Sequence, residues 1–292
     1  MLKVYSLLVA LLFVFPGLVR AQTVFESYYR IEKDGRHAGY LIQKLHRDRK
    51  AGKMTLTVYA RGLQDGKEVA QTWKAEVRAS NASPLASEYT GTAPGMVPLV
   101  SARFGPKDFG QLQFSKAGQG RGPSQTIAKP SLLSTFVFLA ADLAKLRIDK
   151  LYGYRAFAED RGSSSLGTLR LVDEKTVSGT RILHVEDDFF GQKTENFLAE
   201  SGEPLGSRNV AEKAVCRWVP DVKTAVGAFG FPKTEISNLF GGMPAGKSST
   251  WAALSGFDSS SAIASFPKPV PMPGMNLNER RSSVASLPMR GL

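Results

Sequence analysis

From Thr23 to about Gly118 apolar and polar residues alternate with a period of two, and short turns break the alternation at close intervals. The clearest run is Met54, Leu56, Val58 and Ala60 interleaved with Thr55, Thr57, Tyr59 and Arg61. Side chains on a strand point alternately to its two faces, so this pattern predicts a strand with one face toward a core. The stretch YYRIEKDGRHAGYLIQKLHR, Tyr28 to Arg47, shows the unit that repeats: two strand-like runs around Asp34-Gly35. Asp-Gly tolerates the positive φ angles of a tight hairpin turn, and Gly39 allows close backbone approach or a bulge in the returning strand. Lys50 to Lys53 and Asp65-Gly66 supply further turns. Strands this close in sequence predict an antiparallel meander.

The pattern changes at Pro130. Leu132, Leu133, Phe136, Leu139, Ala140, Leu143 and Leu146 recur at helical spacing, so a helix is expected at about 131–146. It is apolar over more than one stripe, which predicts burial. Strands then resume at Tyr152–Glu159, Gly167–Asp173, Arg181–Glu186, Glu195–Glu200 and Gly206–Ala211. The segment from Gln71 and the segment from Gln192 echo each other: a strand, a polar turn, then Pro-Leu-x-Ser and another strand. The expected fold class is mainly β with one central helix: a curved antiparallel sheet or an incompletely closed β-barrel.

The ends read differently. Lys3 precedes an apolar run from Val4 to Phe15, and Val19-Arg20-Ala21 has the form of a cleavage site. Residues 1–21 are therefore expected to be a signal peptide, cleaved before Gln22, with the product periplasmic or secreted. Residues 22–241 form the β-rich domain. Beyond about Gly241, Gly, Ser, Pro and Met dominate, so 242–292 is expected to be a disordered tail that buries too little apolar surface to offset its ordering entropy. No other segment is long and apolar enough to span a membrane as a helix.

Composition narrows the function. The single cysteine, Cys216, excludes an internal disulfide and leaves stability to the core. A charge of +12, from 38 Lys and Arg against 26 Asp and Glu, is scattered rather than gathered into a stripe. It favours weak contact with anionic lipid head groups over nucleic-acid binding. His184-Val185-Glu186-Asp187-Asp188 is the densest set of metal-type side chains, with His184 and Glu186 on one strand face; without a second His at ligand spacing it reads as a strand face followed by an acidic turn. No phosphate-binding glycine loop and no Gly-x-Ser-x-Gly elbow is present. Neither a catalytic residue nor a metal or cofactor is assigned.

The hairpin YYRIEKDGRHAGYLIQKL, the segment KPSLLSTFVFLAADL and the strands GTRILHVEDDFFGQKTENFLAESGEPLGS resemble a family of uncharacterised bacterial periplasmic β-rich domains over about Thr23 to Val210. That family is similar in shape to the lipoprotein-localisation carriers, whose half-barrel and inner helices enclose an apolar cavity. The resemblance implies a non-catalytic envelope protein with an apolar or amphipathic ligand, a lipid or an envelope protein, on the concave face. Trp73, Phe136 and Phe138 are the candidate ligand-binding residues, against an ordinary role in the core. The competing readings are an assembly factor that recruits a partner through its tail, and a hydrolase with an unrecognised site.

Overall fold

The computed structural model describes residues 22–64, 66–92, 99–106, 108–115, 122–209, 211–248, 250, 254 and 285–290. The signal-peptide expectation at 1–21 lies outside them. The first eight strands are β1 (Gln22–Lys33), β2 (Arg36–Asp48), β3 (Lys53–Gln64), β4 (Lys67–Arg78), β5 (Pro84–Gly91), β6 (Leu99–Phe104), β7 (Phe109–Ser115) and β8 (Gln125–Ala128). A short β9 (Leu132–Leu133) precedes the helical segment, which contains α1 (Val137–Ala140). Then come β10 (Leu151–Ala158), β11 (Ser163–Val177), β12 (Thr180–Phe189), β13 (Gln192–Ala199), β14 (Pro204–Asn209) and β15 (Ala214–Val219). Two helices, α2 (Val222–Val226) and α3 (Lys233–Phe240), and the terminal β16 (Ala285–Ser286) complete the described elements.

All the strands belong to one sheet. The order runs β16, β10 to β15 in sequence, then β1 to β8. The hinge of this arrangement is the antiparallel ladder between β1 and β15, where Tyr28 faces Val219 and Lys33 faces Ala214. The first hairpin has the predicted turn: Asp34 (φ 51°) and Gly35 (φ 72°) are both left-handed, the geometry of a two-residue primed turn. Gly39 is required by close approach, because a Cβ there would lie 2.3 Å from the Arg61 carbonyl oxygen. A bulge sits beside it, between Ile31 and Glu32.

The sheet curls. One buried cluster joins Val58 and Ala75 of β3 and β4 with Leu169 and Leu198 of β11 and β13, strands far apart in the sheet order. Phe104 of β6 and Phe157 of β10 meet edge to face at 5.6 Å. Among the described residues no ladder joins β8 to β10 or β16, so the sheet approaches a barrel without closing. Inside it, Leu132, Leu133, Phe136, Val137, Leu139, Ala140, Leu143 and Leu146 are all buried.

That inner segment is central but is not one helix over 131–146. Leu132 and Leu133 are extended and pair in parallel with Ala156 and Phe157. A 3-10 turn at Ser134–Phe136 leads into α1, and the chain is extended again at Ala141. The Asp142 amide donates to the Pro288 carbonyl (2.8 Å) and Ala141 bridges Met289. Backbone bonds to β10 and to the C-terminus thus replace helical bonds, a case of tertiary context overriding helical spacing. Glu159 holds the start of the segment: it accepts from Ser134 Oγ at 2.5 Å and from Thr135 Oγ1 at 2.6 Å, while burial pushes its carboxyl up.

The tail also departs from expectation where it is described. The Ala245 amide donates to Glu26 Oε2 (2.6 Å), and the Glu26 amide donates to the Lys247 carbonyl (2.6 Å). β16 lies parallel along β10, and Leu287 is buried in the inner cluster. These segments have too few apolar residues for a core of their own; they borrow ladder bonds and apolar surface from the sheet. Residues 249, 251–253, 255–284, 291 and 292 lie outside the described residues.

The echo between the segments from Gln71 and Gln192 is structural. β5 and β14 both begin at their proline, and both pair across a register shift, between Glu76 and Val77 and between Phe197 and Leu198. Proline lacks the ladder amide, so it is tolerated where a strand starts or a bulge interrupts pairing.

Candidate functional site

Strand alternation places Phe25, Leu45 and Met54 on the inner face of β1, β2 and β3, at the end of the curled sheet where the tail docks. Together with Val24 of β1 and Leu139 of α1 they form the apolar wall of a cavity of about 190 Å³. Arg47, Ser201, Glu203, Thr250 and Arg290 supply its polar side. The cavity is therefore amphipathic, and smaller than the ~300–1,000 Å³ of a typical small-molecule site. It fits one end of a molecule.

The polar groups are held by the fold. Glu203 follows the β13–β14 turn and accepts from Ser27 Oγ at 3.1 Å. Burial raises its carboxyl above the usual range, partly offset by hydrogen bonds from Ser248, Thr250 and Ser27. Its protonated form is thus favoured relative to a carboxylate in water. Arg290 Nε donates to the Leu139 carbonyl at 2.8 Å, and its other nitrogens donate to the carbonyls of Glu200 and Ser201. Burial lowers its pKa, and Asp142 and Glu200 partly counter this. The guanidinium is a clamp: it ties the C-terminal segment to α1 and to the β13–β14 turn across the cavity wall.

A second titratable pair lies on the inner face of β12. Tyr154 Oη donates to Asp187 Oδ1 at 2.7 Å, and the Tyr154 ring stacks on Phe189 at 5.8 Å. Burial, with Asp188 adding to it, pushes the Asp187 carboxyl up to about 7, despite the bond from Tyr154. This group can exchange a proton near neutrality.

The candidate ligand residues are dispersed. Trp73 lies on the inner side of β4 against Tyr89, at 5.1 Å between ring centroids. Phe136 is fully buried, and Phe138 is partly exposed. None of the three lines the amphipathic cavity. The residues that do line it carry weak sequence signals: Met54 stood out in its period-two run, but Glu203 and Arg290 sit in polar, Gly- and Pro-containing stretches that look like linkers.

The acidic run of β12 is divided between the two faces. His184 and Glu186 do share one face, opposite Leu183 and Val185. Each is engaged: His184 Nε2 meets Glu195 Oε2 at 2.8 Å, and Arg170 Nη2 donates to Glu186 Oε2 at 3.0 Å. Asp187 points inward to Tyr154. Among the described residues no group of three or more His, Cys, Asp or Glu is placed to hold a metal ion. Burial pushes the Cys216 thiol up to about 12, far from a reactive thiolate. Among the described residues no helix is long and apolar enough to cross a membrane.

These features define a class: a single curled, mainly antiparallel sheet, open at one edge, filled by its own inner segment and carrying an amphipathic cavity at one end. The fold is similar to that of a β-barrel-like protein of a domain of unknown function, DUF1849, from Brucella abortus, with a TM-score of 0.45, 12% sequence identity, and coverage of 68% of this chain and 96% of that one. No family model and no curated protein matches the sequence.

Proposed function

We propose that this chain is an exported, non-catalytic envelope protein that holds the apolar end of an amphipathic ligand in the cavity lined by Phe25, Leu45, Met54 and Leu139. The observation that carries this reading is the cavity itself, an apolar wall beside a polar side built on ordered strands. Apolar surface binds the hydrocarbon part of a ligand, and a few fixed polar groups orient its head. The inner face elsewhere is occupied by the protein's own side chains, which favours a partly inserted ligand over a fully enclosed one. Periplasmic location and kinship in shape with lipoprotein carriers belong to the same proposal; the leader-like N-terminus and the sequence resemblance support them.

The test uses an anionic naphthalene dye that fluoresces in apolar surroundings. Val24 lines the cavity and is 43% exposed, so Val24→Trp fills the site from its rim without disturbing the core. Saturable dye binding that weakens about tenfold in Val24→Trp is expected, a loss of roughly 1.4 kcal/mol. Equal binding by both proteins overturns the assignment. Native mass spectrometry of protein purified from its own envelope, followed by lipid extraction, then identifies the bound molecule.

A further inference from the structure

The convex, outer side of β4 to β7 carries a second cavity, of about 320 Å³, whose lining is polar. Ladder register shows how it is built. Lys74, Glu88, Ser101 and Gln113 face one another in turn across the four strands, and Glu76, Ala86, Arg103 and Gln111 form the next rung. Neighbouring strands are ~4.8 Å apart, so each rung makes a track of about 14 Å perpendicular to the strands. The ends of the second rung are braced. Glu76 is ion-paired to Lys53 at 3.2 Å, and Gln111 accepts from Ser124 Oγ at 2.7 Å and donates to Thr126 at 3.3 Å.

The middle of the track is unspent. Lys74 and Glu88 are opposite one another yet form no ion pair, and Arg103 and Gln113 have no hydrogen-bond partner among the described residues. Several carboxylates elsewhere on the outer face are paired. Glu26 is paired with Lys44, Glu32 with Arg30 and Arg217, Glu195 with Arg208, and Glu186 with Arg170.

We propose that this track binds a neutral, linear, polyhydroxylated chain: a glycan strand laid across β4 to β7. The chemistry selects the class. Two cations and two anions balance, which disfavours a polyanion such as nucleic acid. The floor is alanine and serine, without an aromatic or aliphatic wall, which disfavours an apolar ligand. Each sugar hydroxyl both donates and accepts, and the rungs offer donors (Lys74, Arg103), acceptors (Glu76, Glu88) and amides that do both (Gln111, Gln113). A track perpendicular to the strands suits a linear chain lying on the face, whereas a peptide strand would pair with a sheet edge.

Calorimetric titration of the purified protein with N-acetylglucosamine tetraose, maltotetraose and a heparin tetrasaccharide decides the matter. Saturable binding of a neutral tetrasaccharide is expected. It should weaken about tenfold in both Arg103→Ala and Gln113→Ala, and stay unchanged in Val24→Trp and at doubled salt. These side chains lie on the surface and hold no hydrogen-bond partner among the described residues, so the variants retain the fold, which circular dichroism verifies; Lys74→Gln provides a third variant, on the same rung as Gln113. No saturation with either neutral probe overturns the proposal. So does binding that survives all three substitutions, and so does a response confined to heparin that fades with salt.

Discussion

The two halves of the outer face solve the same problem in opposite ways. Over β11 to β15 and β1, charged side chains are drawn down onto the sheet and neutralised: Glu195 is 3% exposed beneath Arg208 and His184, and Arg170 is 5% exposed against Glu186. Over β4 to β7, Lys74, Glu88 and Arg103 are exposed and have no ion pair among the described residues. Between them, the face of β1 to β3 is roofed by α2 and α3, which cover Tyr28, Tyr40, Ile42 and Tyr59. A buried charge is tolerated only when it is paired and hydrogen-bonded, whereas an exposed one needs no partner. The buried pairs are therefore bound to the architecture, and the open track is free to change without loss of fold.

Removing one member of the buried set should have the largest effect. Glu195→Ala strands Arg208 and His184 and is expected to cost about 3–5 kcal/mol, read from the urea midpoint. A loss near zero would equate the two halves and break the comparison. Burial raises the Glu195 pKa, but hydrogen bonds from His184 and Arg208 outweigh it and hold the carboxyl low. Its contribution is thus present at neutral pH and lost on acidification below about 4.

Next comes the clamp at the cavity. Arg290→Ala releases the carbonyls of Leu139, Glu200 and Ser201 and should destabilise by about 1.5–3 kcal/mol. Faster exchange of the Asp142 amide, which donates to the Pro288 carbonyl, is the accompanying signature; unchanged exchange there would show that the C-terminal segment holds nothing in place.

Asp187 tests the inner face through pH. Its carboxyl, at about 7, lies above the ordinary value, so its contribution is full below roughly pH 4 and is lost as pH rises through 7. Asp187→Asn keeps the neutral form at every pH. The variant should be about 1–2 kcal/mol more stable than the wild type at pH 8, and the gap should shrink as pH falls through 7 and vanish only below about pH 4. A constant gap would assign the effect to packing.

The smallest expected effect belongs to the open track. Glu88→Ala should shift stability by less than about 0.5 kcal/mol, measured alongside Glu195→Ala in the same buffer. A larger loss would mean that the track is structural.

Legibility from sequence followed the range of each interaction. Hairpins such as Asp34-Gly35 and the matched β5 and β14 starts depend on neighbours in the chain, and their residues are set by local backbone sterics. The division of the inner segment at Ala141 depends on Pro288 and Met289, which no local pattern encodes. α2 and α3, of five and eight residues, fall below the window over which helical periodicity can be read. The start of α2 nevertheless carries a signal: Asp221 caps it by accepting from the Thr224 amide at 2.8 Å. At the amphipathic cavity, Phe25, Leu45 and Met54 follow from alternation, but Glu203 and Arg290 reach it only because the chain folds back. Trp73, Phe136 and Phe138 are large aromatics, and aromatic size alone does not separate a ligand wall from a core.

The ladder between β1 and β15 has a consequence for biogenesis. The first strand is an interior strand of the finished sheet, and its partner on one side is synthesised near the end of the domain. Until Ala214–Val219 emerges, one edge of Gln22–Lys33 offers unsatisfied amides and carbonyls to any passing strand. Non-local pairing of this kind places folding in the slow range for β proteins, roughly milliseconds to seconds. The nascent chain thus has a window in which β1 carries an open edge, and a holding chaperone that occupies that edge would shorten the exposure.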